Sequence, residues 1–121
     1  MEAGDTIRFG RGHLYVVVSD PRIDPSHVLV INMTTDRGGD PSHILLPGDH
    51  PFVTHRMCMC YKECRIESNG TLEWMISSAT VKLGEPVSAE VLARIRHGVA
   101  ISDHASFEAK QILAEQGWIE P

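Results

Sequence analysis

The sequence predicts a small, mainly β domain followed by two helices, and three observations carry that prediction. Short β-branched and aromatic runs recur with Gly, Pro, Asn and Asp between them. No helical stretch alternates with those runs, as parallel βαβ units would require. After Pro86 the apolar spacing changes to that of a helix. An all-β barrel or sandwich with a helical tail meets all three conditions.

The elements follow in order. Asp5 to Phe9 alternates polar and apolar residues and reads as a short first strand. His13 to Ser19 (HLYVVVS) is β-branched and aromatic, and it is stopped by Asp20-Pro21, whose proline cannot continue a ladder; this is the expected central strand. His27 to Met33 (HVLVINM) forms a third strand, with Thr34 and Thr35 at its end. His43 to Leu46 is a short fourth, closed by Pro47-Gly48, and Asp49 to Arg56 is a polar and aromatic loop. From Met57 to Glu67 the chain is extended again. Strand alternation there puts Cys58 and Cys60 on one face, and Met57, Met59 and Tyr61 on the other. Asn69-Gly70 reads as the type I′ turn of a hairpin, because both residues tolerate positive φ.

In the tail, Ser88 caps a helix with apolar positions at Val91, Leu92, Ile95 and Val99, expected to end near Gly98. A second helix starts near Ser106, buries Ala109, Ile112 and Leu113, and stops at Gly117. The 121 residues are read as one domain, with the β portion over about 4 to 81 and the helical tail over about 88 to 117.

Composition narrows the function classes. The apolar fraction of 42% closes one modest core, and the longest apolar runs, Leu14 to Val18 and Val28 to Met33, are far too short to span a bilayer. The start MEAGDTIRFG has no basic segment leading an apolar one, so a soluble cytoplasmic protein without a membrane partner is expected. Cys58, Cys60 and Cys64 are odd in number and close together, which suits reduced thiols. The formal net charge of −5 supplies no basic field, so nucleic-acid binding would need a local patch.

Three segments in sequence order carry a family resemblance: GDTIRF, HLYVVVS and VLVINMTT. They resemble the opening Gly-Asp strand, the Arg-Pro-Val-Leu-Val-Ile-Ser strand and the strand ending in a Thr-Thr or Thr-Ser pair of the MazF/PemK toxin endoribonucleases. The resemblance covers roughly Gly4 to Ile66 and implies a small SH3-like antiparallel barrel of the MazF/PemK/CcdB type. It implies a type II toxin that cuts single-stranded RNA without metal or other cofactor, through attack of the ribose 2′-hydroxyl on its own phosphate. It further implies a homodimer and a separate antitoxin protein as partner.

Thr34 and Thr35 match the family's hydroxyl pair, and His13 stands where the family has its catalytic arginine. Arg65, with Glu63, lies in YKECRI, which is similar to the family's Asp-Gln-Ile-Arg segment. The expected catalytic residues are thus His13, Thr34, Thr35 and Arg65, and Arg37, His50, His55, Arg56 and Lys62 are expected to bind RNA. Histidine moves protons near neutral pH but grips phosphate less firmly than a guanidinium fork. The acidic tail residues Glu85, Glu90, Glu108, Glu115 and Glu120 would repel RNA, which places the site on the face opposite the tail.

Two other readings stand beside this one. A threonine pair at a strand end is ordinarily a β-former or a loop cap, which would leave a non-catalytic barrel that binds a protein or nucleic acid. His43, His50, His55, Cys58, Cys60 and Cys64 crowd one stretch with the side chains of a zinc set, but without a CxxC pair. That composition would make a zinc-stabilised module.

Overall fold

The computed structural model describes residues 1–9, 12–36, 38 and 43–121. Among them are seven strands: β1 Thr6–Phe9, β2 Leu14–Val17, β3 His27–Thr35, β4 Ile44–Leu45, β5 Met57–Met59, β6 Arg65–Ser68 and β7 Val81–Gly84. Three helices accompany them, α1 Asn69–Ser77, α2 Ala89–Ile101 and α3 Phe107–Glu115, with a 3₁₀ turn at Tyr61–Glu63. Every described strand pair is antiparallel.

The strand path is β4-β5-β3-β2-β1-β7, with β6 also on β3. β3 is long enough to pair β2 along one edge and, along the other, β6 at its start and β5 at its end. Among the described residues β4 and β7 do not pair with each other. The sheet is therefore open, and the closed barrel expected above is corrected to an antiparallel sheet with helices on both faces.

Alternation along the strands sorts the apolar residues onto those faces. Leu29, Ile31 and Met33 of β3 join Leu14 and Val16 of β2, Met57 and Met59 of β5, and Val91, Leu92, Ile95, Val99, Ala109 and Leu113 of α2 and α3 in the larger core. The intervening Val28 and Val30 join Ile7, Val17, Val81 and Leu72 of α1 in a second core. Met57, Met59 and Tyr61 share the larger core, as their spacing predicted.

The helix α1 replaces the expected hairpin. Neither Asn69 nor Gly70 takes positive φ. Instead Ser68 accepts the Thr71 N–H as N-cap, and the Asn69 side chain donates to the Pro25 carbonyl. Leu72, Met75 and Ile76 then fall at helical spacing against the second core. The helix closes in a Schellman motif, with Thr80 N–H bonded to Met75 O and Ala79 N–H to Ile76 O, at the cost of a left-handed alanine (φ 61°).

The tail helices form where the caps predict, with Ser88 and Ser106 accepting from Val91 and Ala109 N–H. However, α2 runs through Gly98 to Ile101. Gly98 is there for packing and not for termination: a Cβ at that position would run into the Tyr61 ring, whose hydroxyl donates to the Ile95 carbonyl at 3.2 Å. Arg96 fastens α2 to the sheet, its Nε donating to the Val18 carbonyl at 2.8 Å while the guanidinium lies 3.8 Å from the Trp118 ring centroid. Among the described residues no helix is long and apolar enough to cross a membrane.

Candidate active site

Strand register explains why residues far apart in sequence meet at one end of the sheet. β1 pairs Arg8 with Leu14, β2 pairs Tyr15 with Asn32, and β3 pairs Met33 with Met59 and Thr35 with Met57. Continuing the β2–β3 register two residues beyond Tyr15 and Asn32 brings His13 level with Thr34. Arg8, Leu14 and Met33 therefore form one row on the face of the larger core, and Thr35 stands two positions further along β3. The loop after β4 folds over this end.

A cleft of about 500 Å³ results, lined by Arg8, Gly12, His13, Met33, Thr34, Thr35, Phe52, Thr54, His55 and Met57. Thr35 Oγ1 and His55 Nε2 are 2.9 Å apart, and Thr54 Oγ1 approaches the other ring nitrogen at 3.4 Å. His13 and His55 are both exposed. The Arg8 guanidinium lies over the Phe52 ring, 5.5 Å from its centroid. The cleft thus combines two imidazoles, three threonines, a guanidinium and an aromatic ring over a methionine floor.

His50 anchors the covering loop from beneath. Its Nδ1 accepts the Phe52 N–H at 3.1 Å, which fixes the tautomer, so Nε2–H donates to the Glu85 carbonyl at 2.7 Å. Thr6 donates to that same carbonyl at 2.7 Å, and Asp49 pairs with Arg94 of α2 at 2.8 Å. These links hold Phe52 and His55 over the end of the sheet.

Of the sequence-expected residues, His13, Thr34, Thr35 and His55 come together in the cleft. His50 does not line it, because both its ring nitrogens are engaged in the anchor. Arg56 is held by Asp36 at 2.7 Å, a contact that keeps the Asp36 carboxyl below the usual carboxylate range. Arg65 pairs with Val30 on β3 and so points to the opposite face. There it bonds Glu67 at 2.7 Å and lies over Phe9 and Tyr15. Lys62 is exposed on the 3₁₀ turn and does not line the cleft. Arg37 lies outside the described residues. The cleft occupies the end of the face that α2 and α3 cover elsewhere, not the opposite face expected from the acidic tail.

Arg8 is the residue that sequence reasoning missed, whereas Phe52 belongs to the Asp49 to Arg56 loop read above as polar and aromatic. Arg8 sits in the quoted GDTIRF segment, but only the β1–β2 pairing shows that it flanks His13.

The cysteines take packing roles. Cys64 donates to the Tyr61 carbonyl at 2.7 Å, and burial pushes its thiol up to about 11. Burial and the neighbouring Glu63 carboxylate raise Cys60 as well. Among the described residues no three His, Cys, Asp or Glu side chains are grouped to hold a metal ion. Comparison with protein-family models, curated proteins and solved structures gave no match.

Proposed function

We propose that this chain is a MazF/PemK-like endoribonuclease, built on a sheet related to the SH3 fold, that cuts single-stranded RNA in the cleft between β1, β3 and the 50–57 loop. The observation that carries the reading is the convergence of His13, Thr34, Thr35 and His55 in one open cleft, with Thr35 and His55 in hydrogen-bond contact at 2.9 Å.

That set supplies what phosphodiester transesterification needs. His13 takes the proton from the ribose 2′-hydroxyl, and the freed oxygen attacks its neighbouring phosphorus. The bond from phosphorus to the 5′-oxygen breaks, and His55 in its imidazolium form gives that oxygen a proton. The products are a 2′,3′-cyclic phosphate and a 5′-hydroxyl, and the proton gained by His13 is returned to solvent or to His55. Thr35, on the same face of β3 as Met33, donates to a non-bridging oxygen as charge develops. Each residue belongs to a strand or an anchored loop, so the groups are positioned before substrate arrives.

By the same resemblance the chain acts as a homodimer and is neutralised by an antitoxin. Exposed Phe107, Ile101 and Trp118 on the tail provide apolar surface for a partner. Induced expression should arrest growth, and the purified protein should cut single-stranded RNA in the presence of a chelator. A chain that does neither is the rival, a non-catalytic binding module, which the net charge of −5 favours.

A further inference from the structure

We propose that Arg8 is the cation that grips the scissile phosphate, and that Phe52 is the residue that positions it. This rests on the phosphodiester-cleaving reading of the cleft. A phosphodiester carries negative charge throughout the reaction, and more gathers on its non-bridging oxygens as the 2′-oxygen attacks. The threonine hydroxyls of the cleft are neutral donors, and both histidines are occupied with proton transfer. The cleft therefore needs a fixed positive charge from elsewhere.

Two other arginines among the described residues are committed elsewhere. Arg56 is turned onto Asp36, and Arg65 is on the other face with Glu67. Arg8 alone among the described arginines and lysines lines the cleft, and it forms no salt bridge with any described residue. Its strand fixes the direction of its side chain: Ile7 turns into the second core, so Arg8 turns to the face of Leu14 and Met33.

The Phe52 ring beneath the guanidinium explains how an exposed arginine is kept in place without a carboxylate. Attraction to the ring face holds the planar group while leaving its N–H edges open. A guanidinium so presented can donate two parallel hydrogen bonds to two phosphate oxygens, which a lysine cannot. A carboxylate in the place of Phe52 would hold the arginine but cancel its charge.

The test measures binding and cleavage separately, on wild type, Arg8→Gln, Arg8→Lys, Phe52→Leu and Arg65→Gln. Binding uses a single-stranded oligonucleotide with 2′-deoxyribose at every position, which cannot be cut by this chemistry, over a series of salt concentrations. Arg8→Gln should weaken binding about tenfold and reduce the slope of log K against log salt by about 0.7, the value for one lost contact to a single strand. Cleavage of the matching RNA should fall about a hundredfold in kcat/KM.

Arg8→Lys should retain the salt slope and lose most of the cleavage, because charge remains and the fork does not. Phe52→Leu should lower kcat with the salt slope intact, and Phe52→Tyr should restore it. Arg65→Gln should match wild type in both assays. If the wild type binds with this dependence on Arg8 but cuts no RNA, the phosphate site stands and the nuclease reading falls. If RNA is cut and Arg8→Gln leaves cleavage and salt slope unchanged, the assignment to Arg8 is overturned while the nuclease stands. Should Arg8→Gln melt well below wild type, Arg8→Lys decides, and wild-type cleavage by it would overturn the fork. A wild type that neither binds nor cuts overturns both.

Discussion

The two ends of one sheet face are finished differently. Toward α2 and α3 the face is sealed: Tyr61 packs on Gly98, Arg96 reaches the Val18 carbonyl, and Ile95, Val99, Ala109 and Leu113 are fully buried. Toward the start of β2 the same face ends in Arg8 and Thr35, which with His13 and His55 line an open cleft. Interior close packing gives stability, whereas polar groups left open give chemistry and little stability. Substitutions at the two ends should therefore separate: loss of activity in a folded protein at one, loss of stability with intact chemistry at the other.

The largest expected effect is at the open end. His13→Ala should lower RNA cleavage by about a hundredfold or more, the scale of a positioned proton-transfer group, with an unchanged melting curve because His13 is exposed. Equal loss of melting temperature and activity would erase the distinction between the ends.

Gly98→Ala is the counterpart at the sealed end. The added methyl meets the Tyr61 ring, and overpacking of this kind costs about 1–3 kcal/mol. Denaturant titration should show that loss, with cleavage per folded molecule unchanged. A neutral result would mean that Tyr61 moves aside freely.

A pH measurement probes the edge between the two ends, where His43 is buried under α2. Burial, and then the Arg94 charge, hold its imidazole below its ordinary value of 6.5. The unfolded chain thus binds a proton that the folded chain resists, so this group's contribution to stability rises with pH in the window just below 6.5 and is flat above it. His43→Gln should flatten that part of the curve, as read from unfolding midpoints at a series of pH values. An identical curve in the variant would place the acid sensitivity elsewhere.

The smallest effect is expected on the far face. Arg65→Gln removes a half-exposed ion pair with Glu67, worth at most about 1 kcal/mol, and should leave cleavage within about twofold of wild type. A large loss of cleavage would put the RNA on the wrong face of the sheet in this account.

What was legible in the sequence was what local chemistry determines. β1 to β3 follow from β-branched runs bounded by turn residues, and α2 and α3 from serine caps ahead of helical spacing. The Asn69-Gly70 turn failed because a dipeptide preference was set against a longer signal, the Ser68 cap with Leu72, Met75 and Ile76 behind it. Burial of that stripe on the second core outweighed the turn preference. At the cleft, the approach of His13 to the end of β3 was readable because two adjacent antiparallel strands bring it level with Thr34. The partners of His50, Arg56 and Arg65 were not readable, since the Glu85 carbonyl, Asp36 and the opposite sheet face are set by register across the chain. Arg8 escaped notice for the same reason.

Transesterification by the cleft's own side chains is tested most directly by the chemistry of the cut ends. Single-stranded RNA incubated with the purified protein and a chelator should yield fragments ending in 2′,3′-cyclic phosphate and beginning with 5′-hydroxyl, identified by mass spectrometry. The His13→Ala, His55→Ala double variant should leave the RNA whole. Fragments beginning with 5′-phosphate, or cleavage that survives in the double variant, would contradict the account.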